Sequence, residues 1–105
     1  MLEVCPTAVV RAPARRVWDL ITRPPEIARW SDTRLIAAPG RELQSGDRLV
    51  VGAGIGHCLE VVFEVGQLLR PHRVAFRIAL PFGVTNDEMI EITRIDDESC
   101  RVTFN

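Results

Sequence analysis

No stretch of this 105-residue chain approaches the roughly twenty consecutive apolar residues that a membrane helix needs. Its opening, MLEVCPTAVV, lacks the basic-then-apolar layout of a secretory leader, so a cytoplasmic protein without a membrane span is expected. An excess of one charge is missing too: 13 basic against 14 acidic residues leave a net charge of −1, which gives no footing for a nucleic-acid partner. Tyrosine is absent, and histidine occurs only as His57 and His72. The three cysteines, Cys5, Cys58 and Cys100, are far apart and show neither metal-ligand nor redox-pair spacing. The expectation is reduced, buried thiols, with no metal and no cofactor.

A chain of this length forms one domain, expected to span residues 1–105, and buries roughly two thirds of the surface its unfolded form exposes. Its most conspicuous motif is LVVGAGIGHC, Leu49 to Cys58, which has the look of a dinucleotide-binding turn. That fingerprint needs glycine at its first, third and sixth positions and a helix directly afterwards. Counted from Gly52, the sixth position is His57, and the following HCLEVVFEV alternates in period two, as a strand does. The glycines therefore read as a flexible hairpin between two strands.

The remainder supports that reading. Leu2 to Arg11 forms a first strand, placed at an edge or bent by Pro6. The segment APARRVWDLITRPPEIARW then shifts to a period near 3.6, with Val17, Trp18, Leu20 and Ile21 as an apolar stripe that Pro24 ends. A short second helix follows from Pro25, carrying Ile27 and Trp30. Six further strands are expected at Thr33 to Ala38, Asp47 to Ala53, His57 to Leu69, Arg73 to Leu80, Asn86 to Ile95 and Ser99 to Phe104, joined by short turns. Connections this short join antiparallel neighbours. The result is an α+β domain: a seven-stranded antiparallel sheet with two short helices inserted between strands 1 and 2. One sheet face, with Leu49, Val51, Leu59, Val61, Phe63, Val65, Val74, Phe76, Ile78, Leu80, Ile90, Ile92, Val102 and Phe104, is apolar throughout.

This order of elements, with Ala12-Pro13, the Val17-Trp18 pair, Trp30 closing the short helix and the later GQLLRPHRVAFRI turn, resembles the START-like superfamily, especially its polyketide cyclase/dehydrase and lipid-transport branch. The resemblance implies a helix-grip fold: a curved sheet wrapped around a long C-terminal helix, with an apolar cavity between them. The chain departs from it by stopping at VTFN, where the family continues into that helix. Without the helix the concave face would expose more apolar surface than the few hundred Å² that soluble monomers usually carry. Two expectations follow: a homodimer covers the face, or the sequence is truncated at its C-terminus.

Candidate chemistry is sparse. His57, taken as the start of the fourth strand, reads either as a general acid or base pointing into the cavity or as a solvated side chain at the hairpin mouth. Glu88 and Asn86 share the parity of Ile90 and read as polar groups in an apolar pocket, Glu88 alternatively as a carboxylate reaching water beside Asp87. Trp30 reads as a pocket wall or as a plug in the core, and Trp18 as plain helix-to-sheet packing. Arg73 and Arg77 fall on the other face, and the acidic run Asp96 to Glu98 reads as a hydrated turn. His57 and Cys58, adjacent on a strand, would point to opposite faces and so make no nucleophile pair. The expected ligand-binding set is Trp30, Val51, His57, Leu59, Val61, Phe63, Phe76, Ile78, Asn86, Glu88 and Ile90. Three functions remain open: binding of a small hydrophobic molecule such as a lipid, polyketide or aromatic metabolite; a cyclase or dehydratase using His57 or Glu88; or a protein-interaction module using the uncovered sheet face.

Overall fold

The computed structural model describes residues 7–104. The first strand, β1, runs over Thr7–Val10, and the expected residues before Thr7 lie outside the described part. Helix α1, Ala14–Thr22, starts after Pro13 and buries Val17, Trp18, Ile21 and Thr22. Its end is written in the next residue: a position preceding proline is driven out of the helical region, and Arg23 is extended at φ −99°, ψ 116°. Helix α2, Pro24–Trp30, then begins one residue earlier than expected, with Pro24 in the first helical position where its missing N–H costs nothing.

The remaining strands are β2 (Arg34–Ala37), β3 (Arg48–Ala53), β4 (Leu59–Leu69), β5 (Arg73–Ala79), β6 (Thr85–Asp96) and β7 (Ser99–Phe104). They form one antiparallel sheet in the order β1-β7-β6-β5-β4-β3-β2. Strands β1 and β2 are thus consecutive in sequence yet sit at opposite edges. The chain between them has to cross the sheet, and the two helices make that crossing. Bulges between Val65 and Leu68 and between Arg94 and Asp96 interrupt the two longest strands, a feature that bends a sheet and increases its twist.

Register puts the apolar parity on one face. Leu49 pairs with Phe63, Phe63 with Ile78, Val65 with Phe76, Val74 with Ile90, and Ile92 with Val102. The core gathers most of these with Val17, Trp18 and Ile21 of α1, Ile27 of α2 and Leu43 of the loop before β3. Trp18 is completely buried, and its indole N–H donates to Oε1 of Glu42 at 2.9 Å. Phe63 and Phe76 meet edge to face, their centroids 5.9 Å apart, an arrangement favoured by the ring quadrupole.

Candidate functional site

The inner face divides into two regions. One part is filled: Leu49, Val51, Val61, Val65, Val74 and Ile90 are buried in one core together with Val17, Trp18 and Ile21 of α1 and Ile27 of α2. Packed against that core, Phe63 and Ile78 are half-buried, and Ile78 pairs across the ladder with Asn86 while Phe76 pairs with Glu88. Asn86 is exposed and Glu88 half-buried. The register thus places Phe63, Phe76, Ile78, Asn86 and Glu88 as neighbours on one face, an apolar surface bordered by an amide and a carboxylate.

His57 is not in a strand. Residues Ile55–His57 form a 3₁₀ turn, β4 begins only at Leu59, and His57 adopts φ 54°, which breaks the alternation that parity counting assumes. Its Nε2 lies 4.0 Å from Oδ1 of Asp32, in the turn that follows α2. The imidazole is half-buried at the hairpin mouth and the Asp32 carboxylate is fully solvated. The tight turn depends on Gly52: a Cβ there would overlap the His57 carbonyl oxygen. The glycines serve a chain reversal that folds back onto its own strand.

Other expectations change as well. Trp30 is 55% exposed and so is no core plug, and its indole N–H donates to the Leu20 carbonyl at 2.7 Å, tying α2 to α1. Leu59, the first residue of β4, is 46% exposed at the sheet end. Cys58 is exposed, contrary to the expectation of burial, with its Sγ 3.1 Å from the Ile55 carbonyl. Cys100 is buried, and burial pushes its thiol above the ordinary range, away from thiolate chemistry. Among the described residues no group of three or more His, Cys, Asp or Glu is placed to hold a metal ion.

A depression of about 570 Å³ is lined by three residues from each of β4, β5 and β6, among them Gly66, Ala75, Arg77, Asp87 and Met89. Val65 and Phe76 in its lining are buried and Glu88, of the same inward parity, is half-buried, while Glu64, Gly66, Ala75, Arg77, Asp87 and Met89 share the outward parity. Arg77 and Asp87 pair across it at 3.2 Å.

Sequence reasoning missed Asp32, Ile55 and Phe82. Asp32 and Phe82 share with His57 a left-handed backbone, at φ 53° and 69°, and these are the only non-glycine residues so placed among those described. All three sit in turns at one end of the sheet. The Ser-Asp-Thr and Pro-Phe-Gly triplets carried turn chemistry, but nothing in the alternation pattern marked which side chains would project.

Seven antiparallel strands with two helices crossing one face define the START-like, helix-grip fold. No family model and no curated protein matches the sequence. Among solved structures, the chain is similar to an HSP90 activator from Plasmodium falciparum, with a TM-score of 0.74 and 10% identity over 96% of this chain and 69% of that one. It is similar to a START superfamily protein from Mycobacterium smegmatis at TM-score 0.70 and 14% identity, covering 96% and 72%. DynU16, a protein of the dynemicin biosynthetic locus, matches at TM-score 0.70 and 22% identity over 97% of this chain, which spans 36% of DynU16. No helix among the described residues is long and apolar enough to cross a membrane.

Proposed function

We propose that this domain binds a small hydrophobic molecule, a lipid, polyketide or aromatic metabolite, on the inner sheet face. The observation that carries the reading is the juxtaposition of Phe63, Phe76 and Ile78 with Asn86 and Glu88 in one cross-strand register. Apolar pockets with a few convergent polar groups are the usual form of small-molecule sites, the apolar part supplying affinity and the polar groups orientation. The likeness to a START superfamily protein and to a protein of a biosynthetic locus supports the same reading.

The test is a ligand panel of a long-chain fatty acid, a polycyclic aromatic ketone and a sterol, read by melting temperature and tryptophan emission. A binder stabilises the native state in proportion to its concentration over Kd. A panel that moves neither signal overturns the proposal.

A second reading is favoured by one distance. His57 stands at the mouth of the apolar face with its Nε2 4.0 Å from Oδ1 of Asp32, and a positioned histidine of this kind can exchange a proton with a bound substrate, as in a cyclase or dehydratase. Turnover of a polyketide-like substrate lost in His57→Ala, with binding retained, distinguishes this reading from binding alone. A third, a protein-interaction module using the open sheet face, draws support from the HSP90 activator neighbour.

A further inference from the structure

We infer that the outer face of the sheet is a self-complementary docking surface for a second copy of this chain, centred on a row of alternating charges. One register line crosses four neighbouring strands: Arg48 of β3 lies opposite Glu64 of β4, Glu64 opposite Arg77 of β5, and Arg77 opposite Asp87 of β6. All four are exposed and share the parity opposite to that of Val61, Val65, Val74, Phe76 and Ile90 in the core. The row is only half satisfied within the chain. Arg77 and Asp87 pair at 3.2 Å, whereas Arg48 and Glu64 enter no ion pair among the described residues.

The surface around the row is less polar than a solvated sheet face. An antiparallel sheet with one face on the core ordinarily turns polar residues to water on the other. Here Val50, Val62 and Ala79 make up the adjoining register line on one side, and Ala75 and Met89 stand opposite each other on the other side, all of them half-buried. Gly66 and Ala75, which line the depression of about 570 Å³ beside the row, carry nothing beyond a β carbon. Side chains this short let a second sheet approach to about the 10 Å at which sheets stack face to face.

Charge order chooses the partner. A row that reads plus, minus, plus, minus becomes its own complement when it is reversed. A two-fold axis along the strands, between β4 and β5 and midway between facing copies, performs that reversal. It sets Arg48 opposite the partner's Asp87 and Glu64 opposite the partner's Arg77, each contact occurring twice, as an isologous interface requires. The two charges left without an ion pair in one chain thus gain one, and Val62 comes to lie over the partner's Ala79. Stacked sheets align to within about 30°, which displaces the outer charges, roughly 7 Å from the axis, by about 4 Å, within the reach of an arginine. Four strands by three register lines give roughly 400 Å² from each copy, the small end of specific interfaces, so the dimer is reversible and depends on its charges. A second copy carries the reversed order by symmetry, whereas an unrelated protein would have to match it independently. Seated there, the copy leaves the inner face, where a homodimer contact was expected, open to a ligand.

Sedimentation equilibrium of the full chain over a wide concentration range tests this. Expected in low salt is a monomer–dimer equilibrium that moves toward monomer as salt screens the charges. Glu64→Arg and Arg77→Glu each bring like charges together at the axis and should weaken the dimer about tenfold or more, with circular dichroism unchanged. Mixed in equal amounts, the two variants complement each other at all four positions of the row, so the mixture should dimerise at least as tightly as the wild type. Glu64→Gln and Arg77→Gln, which add no like-charge contact within the monomer, should each weaken the dimer about threefold. A wild type that stays monomeric, variants that associate like the wild type, or a mixture that fails to recover overturns the inference. So does association that persists in high salt or that the long-chain fatty acid of the ligand panel displaces, which would seat the second copy on the inner face.

Discussion

The carbonyl oxygen of His57 lies directly over Gly52, so close that any side chain at Gly52 would collide with it. The 3₁₀ turn thus folds back across the end of β3, and His57 reaches Asp32 only because residue 52 has no Cβ. Gly52→Ala should cost about 1–3 kcal/mol of stability, the range for forcing extra atoms into a packed site. Urea denaturation checks it, and a loss below about half a kcal/mol would show that the turn moves aside freely.

How far the sequence reached can be judged at this same turn. Strand alternation exposed the meander, its inner face and the Val17-Trp18-Ile21 stripe, because period is a property of local sequence. The same counting failed at His57, since parity holds only while the backbone stays extended and His57 does not. The need for glycine at position 52 was equally hidden, because the colliding carbonyl is brought there by the chain's return. That Val51 would be closed off in the core, out of reach of a ligand, was hidden too. A connection that must cross from one sheet edge to the other fixes which half of the inner face is covered, and strand order is a long-range fact.

Glu88 tests the proposed site directly. It faces the inner side opposite Phe76 and makes no ion pair among the described residues, so Glu88→Leu should change stability by no more than about half a kcal/mol. Affinity for a ligand bearing a hydroxyl should fall about tenfold, the equivalent of one lost hydrogen bond, while a purely aliphatic ligand should bind as well or better. Calorimetry on the two ligand types gives the comparison. Equal losses for both would place Glu88 outside the orienting role.

Glu42 anchors the core from outside. Its Oε1 accepts from the buried Trp18 indole at 2.9 Å, the Thr22 hydroxyl lies 3.4 Å from the same oxygen, and Oε2 stands 3.4 Å from an Arg70 nitrogen. Glu42→Ala strips the indole N–H of its acceptor and should cost about 1–3 kcal/mol, whereas Glu42→Gln keeps an acceptor and should recover much of the loss. Denaturant midpoints of the two variants decide. If Gln is as damaging as Ala, the charge facing Arg70 matters more than the indole bond.

Asp47 gives the fold a pH dependence. Its carboxylate accepts from both terminal nitrogens of Arg41, at 2.7 and 3.2 Å, and from the Gln44 amide at 2.7 Å. The Arg41 hydrogen bonds foremost, and then the Gln44 amide, hold its pKa below the usual carboxylate value. A carboxyl whose pKa is lowered on folding contributes stability that is fully present above the unfolded-state value, near about 4, and is lost as pH falls through the lower folded value. Asp47→Asn should therefore lower the melting temperature at neutral pH. The gap from wild type should narrow as pH drops below about 4, because protonation then removes in the wild type what the substitution removed in the variant. Melting curves over an acid series would show it. A gap independent of pH would mean that the asparagine disturbs the shape of the Gln44 turn, and that the charge of Asp47 contributes little.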